Sequence, residues 1–309
     1  MRITHGFNSL SQPHAVTIGN FDGLHVGHQA MLTRLQQVAR ARNLPTCVLS
    51  FEPHPREYFA PADAPARLSS LREKAAKLEE LGIDRLHVYP FNRAFAALSA
   101  ADFVQQVLVD TLHTGYVLVG DDFRYGAQRA GDFALLASSG PALGFDVDTL
   151  ATVELAGERA SSTAVRNALA AGDLAHATCL LGRPYSICGR VVQGDKLGRE
   201  LGYPTANIQF KLNRPPLSGI FAVTLSGIQG RVLLGVASLG VRPTVKNAGA
   251  APVLEVHLFD FDADIYGERV RVDFLHKLRD EAKYPDLASL VAQIGRDVED
   301  AKHYLANPI

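Results

Sequence analysis

At 309 residues, with 47% hydrophobic and 20% charged residues and a formal net charge of -1, the chain is long enough for two domains with their own cores. Neither half carries a block of like charge, so no nucleic-acid partner is expected. Met1–Gly6 lacks a signal core, no apolar run reaches membrane-spanning length, and Cys47, Cys179 and Cys188 lack metal-type spacing; the expectation is a soluble cytoplasmic protein with reduced thiols and no membrane partner.

In chain order, Ala15–Ile18 predicts a first strand, and a helix with Met31, Leu32, Leu35, Val38 and Ala39 on one face covers His28–Asn43. Thr46–Phe51 predicts a second strand. Ser70-Leu71-Arg72-Glu73 has capping-box spacing and opens a helix that Gly82 ends. Leu86–Tyr89 is a third strand, Ser99 and Asp102 open a helix running through Leu112, and Tyr116–Val119 and Phe145–Leu150 are the fourth and fifth strands. This alternation predicts a parallel sheet with helices on both faces, binding its ligand at the carboxyl ends of the strands. Ser161-Ser162-Thr163 caps a helix over Ala164–Ala170, and another covers Leu174–Leu181. Gly182-Arg183-Pro184 marks the expected boundary between domains 1–182 and 183–309.

Beyond it, Ser186–Gln193, Ala206–Phe210, Phe221–Leu225, Val232–Ser238, Val253–Phe259 and Val270–Leu275 read as strands separated by glycine or proline. Many short strands without intervening helices predict an antiparallel barrel or sandwich. A closing helix over Asp286–Leu305 places Leu287, Leu290, Val291, Ile294 and Val298 on one stripe.

Two segments carry chemistry. The first is Gly19-Asn20-Phe21-Asp22-Gly23-Leu24-His25-Val26-Gly27-His28-Gln29, a glycine-rich turn between a strand and a helix N-terminus, which is a phosphate site by construction. His25 and His28 lie three apart and can face one bound group. They fit a helix-start pair without chemistry, a metal pair for which no third ligand is suitably spaced, or two donors stabilising charge on a phosphoryl group. Gly27 lets a nucleotide approach the backbone. The second segment, Gly189–Asn207, holds after its first residue three glycines, Gly194, Gly198 and Gly202, among basic residues, but is not a Walker A loop. Thr205 and Asn207 share one strand face, where two neutral oxygens can complete a magnesium shell or merely form a polar face. Glu255 shares its strand face with His257, opposite Leu254, Val256 and Leu258.

The first segment resembles the signature of the HxGH nucleotidylyltransferases. Together with Phe51-Glu52-Pro53-His54-Pro55, Val119-Gly120-Asp121-Asp122-Phe123-Arg124-Tyr125-Gly126 and Ser161-Ser162-Thr163-Ala164-Val165-Arg166, it is similar to the bacterial bifunctional riboflavin kinase/FMN adenylyltransferase (FAD synthetase) family. Pro204-Thr205-Ala206-Asn207, Gly219–Val223, Gly235–Thr244 and Leu254–His257 extend the resemblance through the second half. It departs only at Tyr125, where Phe is frequent, and at Val245, where Phe is common. The resemblance implies a Rossmann-like α/β domain followed by a small closed antiparallel β-barrel with a C-terminal helix. It implies that riboflavin is phosphorylated by ATP to FMN, and FMN adenylylated by ATP to FAD with release of pyrophosphate. His25 and His28 would then stabilise the transferring phosphoryl group. Gly19, Phe21, Asp22, Gly27, Ser162, Thr163, Arg166, Gly194, Lys196 and Gly198 would bind nucleotide or phosphate, and Glu52, His54, Asp122, Phe123 and Arg124 the flavin. Thr205 and Asn207 would hold Mg2+, and Glu255 would act as general base. An adenylyltransferase for another phosphorylated acceptor, or a non-enzymatic flavin-binding regulator, are the alternative readings.

Overall fold

The computed structural model describes residues 1–155, 157–194, 197–212, 214–241 and 252–307. Its two compact units are Met1–Pro65 with Leu71–Ser161, and Ala66–Ser70 with Ser162–Ile309.

In the first unit the elements run β1 (Arg2–His5), β2 (His14–Ile18), α1 (Val26–Arg42), β3 (Thr46–Glu52), α2 (Pro55–Phe59), α3 (Leu71–Glu80), β4 (Arg85–Pro90), α4 (Arg93–Ala96), α5 (Ala100–Asp102) and β5 (Thr114–Gly120). A hairpin of β6 (Arg124–Tyr125) and β7 (Gly131–Asp132), then α6 (Phe133–Ser139), β8 (Asp146–Leu150) and a hairpin of β9 (Glu154–Leu155) and β10 (Glu158–Arg159) complete it. Six parallel strands form one sheet in the order β1-β4-β3-β2-β5-β8. The order reverses between β2 and β5, and that crevice lies where an open α/β sheet binds ligands.

Strand residues alternate between two cores. Val16, Ile18, Cys47, Leu49, Val117 and Val119 pack with Phe103, Val107, Leu108, Leu112 and Leu136 on one face. Ala15, Val48, Leu86, Tyr116 and Leu118 pack on the other, where α1 supplies Leu32, Leu35 and Ala39 and α3 supplies Ala75 and Leu78. This period-two alternation is what a sheet covered on both sides requires. Cys47 is a core thiol, pushed up to about 12 by burial.

The five predicted strands are present, and the structure adds β1 at the sheet edge. Its residues are mostly exposed, with Ile3 the one apolar side chain, so pairing to β4 rather than hydrophobic pattern makes it a strand. The predicted helix through Leu112 is corrected. After α5, capped by Ser99 Oγ accepting from Asp102 N at 3.0 Å, the chain widens into a π-helix over Phe103–Thr111. Leu112 N donates to Val107 O, while the hydroxyls of Thr111 and Thr114 donate to the carbonyls of Gln106 and Leu108. Side-chain donors thus satisfy carbonyls that an α-helix would bond internally.

The second unit holds α7 (Ser162–Ala171), α8 (Leu174–Leu181), β11 (Tyr185–Val192), α9 (Leu197–Glu200), β12 (Thr205–Gln209), β13 (Gly219–Ile228), β14 (Arg231–Val241), β15 (Pro252–Leu258), β16 (Arg269–Arg279) and α10 (Leu287–Ala306). The six strands close into an antiparallel barrel in the order β11-β12-β15-β14-β13-β16. Phe221 and Phe274 meet edge to face at 5.2 Å within the buried core. The helix α8 packs on β11 and β16, so by packing residues 162–181 group with the barrel. The helix α10 packs its Ile294, Val298, Ala301 and Tyr304 over Ala222 and Val236. The predicted stripe is corrected at its start: Leu287 is 55% exposed, because the packed segment begins further along the helix.

Two candidate active sites

The first site is a cleft of about 970 Å³ within the first unit, lined by the turns after β2, β3, β5 and β8. After β2 the backbone reverses through Phe21 (φ 48°), Gly23 (φ 78°) and Leu24 (φ 47°). Left-handed conformations at non-glycine residues cost about 1–3 kcal/mol each and persist only where the surroundings hold them. Here Phe21 and Leu24 are 1% exposed, locked into the core beside α1 and α3.

That turn delivers His25 to the N-cap of α1. Its Nδ1 accepts from His28 N at 3.4 Å, so in the neutral ring the proton sits on Nε2. The His25 and His28 rings stack at 3.7 Å, with Phe21 4.9 Å from His28. His28 is held well below the usual imidazole range, chiefly by burial and then by the neighbouring His25 and Lys74 charges. At neutral pH it is therefore an uncharged hydrogen-bonding group, placed where the helix N-terminus already favours anions. A Cβ on Gly27 would meet the His25 ring at 3.1 Å and Ala160 O at 3.3 Å, so this glycine also makes room for the capping imidazole.

Gly19, Phe21, His25, Gly27, His28, His54, Asp122, Phe123 and Arg124 all line this cleft; Asp22 and Glu52 do not. Asp22 is buried within the turn. His54 caps α2, its Nδ1 accepting from Arg56 N at 3.1 Å while Glu57 accepts from His54 N. Asp122 pairs with Arg159 at 2.6 Å, and Asp121 accepts from Thr152, which together tie the loop after β5 to the segment around the β9–β10 hairpin. Ser162 and Thr163 begin α7 in the second unit, and Arg166 Nε donates to Ala66 O at 2.6 Å there.

Sequence reasoning missed three features of the first unit. One is an aromatic wall, Phe51, Phe59, Phe91 and Phe95, with ring centroids 5.6–6.0 Å apart. Another is Arg159, whose signal was only its place two residues before the serines. The third is Lys74, 4% exposed, whose Nζ donates to Ser50 Oγ at 3.0 Å. A lysine on the same helix face as Leu71, Ala75 and Leu78 was its signal.

The second site is a cleft of about 450 Å³ on the barrel's outer face, bordered by α10. The antiparallel register sets Asn207 opposite Glu255 and Glu255 opposite Ser238, one row across three strands. The next row is Thr205, His257 and Val236. Leu254, Val256 and Leu258 turn into the core, so Glu255 and His257 face the cleft as alternation predicts. His257 Nδ1 lies 2.9 Å from Pro204 O and must be protonated to donate to it.

Two glycines seat the polar strand face. A Cβ at Gly194 would overlap the Asn207 amide, and one at Gly198 would lie 2.5 Å from Tyr203 O and 3.2 Å from Thr205 Oγ1. Thr205, Asn207, Glu255 and Gly198 line the cleft. Lys196, the Arg242-Pro243-Thr244 segment and Val245 lie outside the described residues. Among the described residues no three His, Cys, Asp or Glu side chains gather as a metal cluster. The hard, neutral donors Thr205 and Asn207 fit a cation whose remaining ligands are phosphate oxygens and water.

Unforeseen in the sequence, Arg279 grips Asp297 of α10 in a two-pronged pair, Nε to Oδ1 at 2.7 Å and Nη2 to Oδ2 at 2.6 Å, and Gln293 donates to the same carboxylate at 2.9 Å. Asp297 is 4% exposed, and the pair raises the Arg279 pKa. Residues so distant in sequence leave no local spacing to read.

Residues 8–164 match the family described as FAD synthetase, and residues 181–305 the family described as riboflavin kinase. Relatives described as bifunctional riboflavin kinase/FMN adenylyltransferase are 47% identical in Haemophilus influenzae (304 residues, 98% of each chain) and 47% in Escherichia coli K12 (308 residues, 98% of each). One from Pseudomonas fluorescens is 48% identical over 98% of this chain and 97% of its own. A crystal structure described as a macrolide-efflux protein from Streptococcus pneumoniae has a TM-score of 0.84 at 29% identity, covering 99% of both chains. No helix among the described residues is long and apolar enough to cross a membrane.

Proposed function

The chain belongs to the bifunctional riboflavin kinase/FMN adenylyltransferase family, and from that membership we propose which residues run each step. The enzyme phosphorylates riboflavin with ATP to give FMN, then joins AMP from a second ATP to FMN, giving FAD and pyrophosphate. We assign adenylylation to domain 1–182 and phosphorylation to domain 183–309. One observation supports the assignment: His25 and His28 line the first unit's cleft, and Glu255, Thr205 and Asn207 line the barrel's.

In adenylyl transfer an FMN phosphate oxygen attacks the α-phosphorus of ATP, and the bond to pyrophosphate breaks. The nucleophile is already ionised, so no base is required. His25 Nε2–H and the neutral His28 donate hydrogen bonds to the α-phosphate oxygens as charge builds there, aided by the N-terminus of α1. The backbone at Gly19, Phe21 and Gly27 borders the nucleotide, Asp22 belongs to the same nucleotide-binding turn, and Ser162, Thr163 and Arg166 bind nucleotide phosphates. The apolar isoalloxazine ring lies against the wall that holds Phe59 and Phe91, with Phe123, His54, Asp122, Arg124 and Glu52 as its further flavin contacts.

In riboflavin phosphorylation the nucleophile is a hydroxyl, so a base is required. Glu255 accepts the proton of the ribityl 5′-hydroxyl as that oxygen attacks the γ-phosphorus and ADP leaves. Gly194, Lys196 and Gly198 belong to the loop that follows the phosphates. Thr205 and Asn207 would hold Mg2+, which would supply neutralisation and orientation of the ATP phosphates. Dependence of both steps on ATP favours a cytoplasmic location.

Incubating the purified protein with riboflavin, ATP and magnesium and resolving the flavins by chromatography tests this reading. FMN appears first and FAD after it; absence of both contradicts the function. Asn207→Ala raises the magnesium concentration needed for half-maximal FMN formation by about tenfold, the effect of ~1.4 kcal/mol of lost binding. An unchanged requirement removes Asn207 from the metal site.

A further inference from the structure

The turn that carries the two histidines is strained at Phe21 and Leu24, so something outside it must fix its path. Gly19 N is tied to Leu49 O at 3.0 Å. The next carbonyl, Asn20 O, accepts from Ser50 Oγ at 3.3 Å, and Ser50 Oγ in turn accepts from Lys74 Nζ at 3.0 Å. Ser50 is fully buried and Lys74 is 4% exposed. Lysine is among the side chains least often buried, because its charge is costly to desolvate. For packing alone, an apolar residue beside Ala75 and Leu78 would serve at lower cost.

We propose that Lys74 is a positioning residue for adenylyl transfer, acting through Ser50 and Asn20 to hold the Gly19–Leu24 turn that sets His25 and His28. It does not line the cleft, so it has no direct hold on substrate. Ser50 can play only the intermediate part: its oxygen accepts from the ammonium and its proton goes to the Asn20 carbonyl. With the ammonium in place, the hydroxyl proton is committed to Asn20, and the turn is fixed from the side facing away from the cleft. The same charge is one of three influences that keep His28 neutral, after burial and His25. The helix α3 thus reaches the phosphoryl-transfer site without touching it.

The inference rests on His25 and His28 serving the adenylyl step, which His28→Ala tests separately. The discriminating variant is Lys74→Met, which keeps the volume and removes the charge and the donor. FAD formation from FMN and FMN formation from riboflavin are measured on the same preparation. The kcat of FAD formation falls at least about tenfold, while KM for ATP stays within about twofold and FMN formation is unchanged. Ser50→Ala lowers the same kcat with little loss of stability, and the double variant falls no more than about twofold below the worse single one, as members of one chain should. Undiminished kcat in folded Lys74→Met overturns the inference. Should Lys74→Met not fold, Ser50→Ala decides, and full activity there overturns it equally. If His28→Ala also leaves FAD formation intact, the assignment of the histidines has failed; if only the Lys74 and Ser50 variants are silent, the positioning role alone has failed.

Discussion

On the proposed assignment, the two clefts answer the same problem, the charge on a nucleotide's phosphates, with opposite chemistry. The first uses two stacked imidazoles, with His28 kept neutral by burial first, fixed to a helix N-terminus by a strained turn. The second uses neutral oxygens on an open strand face, seated by two glycines, with a carboxylate in the same row. The nucleophile explains the difference. A phosphate brings its own negative charge, so the first site needs donors and no base. A hydroxyl must lose a proton, so the second needs a base, the role proposed for Glu255, with a cation proposed for phosphate neutralisation.

The comparison breaks most visibly at the base. Glu255→Gln lowers FMN formation by about 10²–10⁴-fold, the usual range for losing a general base, and leaves FAD formation from supplied FMN intact. Loss of both activities in a folded protein would merge the two sites. Gly194→Ala comes next: the new Cβ must displace the Asn207 amide, and FMN formation falls by about 10²-fold in a kinetic assay with adenylylation preserved. Unchanged kinetics would show that Asn207's placement does not matter.

Asp297→Ala probes the barrel's own support. It leaves Arg279 without its two-pronged partner and destabilises the barrel unit by about 3 kcal/mol in urea unfolding. A shift of the first unit's transition instead would overturn the assignment of that pair to one unit. The smallest effect distinguishes the units by pH. Burial pushes His87 down to about 4 and lowers His14, so both stay neutral in the folded first unit while they charge near pH 6.5 in the unfolded chain. Between these values the unfolded chain binds more protons. Stability is therefore whole above about pH 6.5 and declines as pH falls toward 4, by on the order of 2 kcal/mol for His87. Urea midpoints measured across that range reveal it, and His87→Gln flattens the slope; a wild-type profile without slope contradicts it.

Legibility in the sequence followed the range of the interactions. The helix Leu174–Leu181 stands between Asp173, which caps it, and Gly182 at φ 68°, both local signals. The barrel strands were readable from alternation, and the two chemical segments from motif and spacing. Pairing between distant residues was not readable. The edge strand Arg2–His5 exists through β4, the π-helix through hydroxyls that reach back five and six residues, and Leu287 lies outside the stripe because the barrel contact starts later. At the sites, glycines read as room for nucleotide or as phosphate-binding prove to have steric duties toward His25, Asn207 and Thr205. Lys74 could have been noticed as a charge on an apolar face, but its target, Ser50, emerges only when α3 meets the sheet.

The most direct test of two separate stations is the flavin profile of His28→Ala incubated with riboflavin, ATP and magnesium. FMN should accumulate at the wild-type rate while FAD formation falls by about 10²–10³-fold, the loss expected when a transition-state hydrogen-bond donor is removed. FAD formed at the wild-type rate, or loss of FMN along with FAD in a folded protein, would contradict the account.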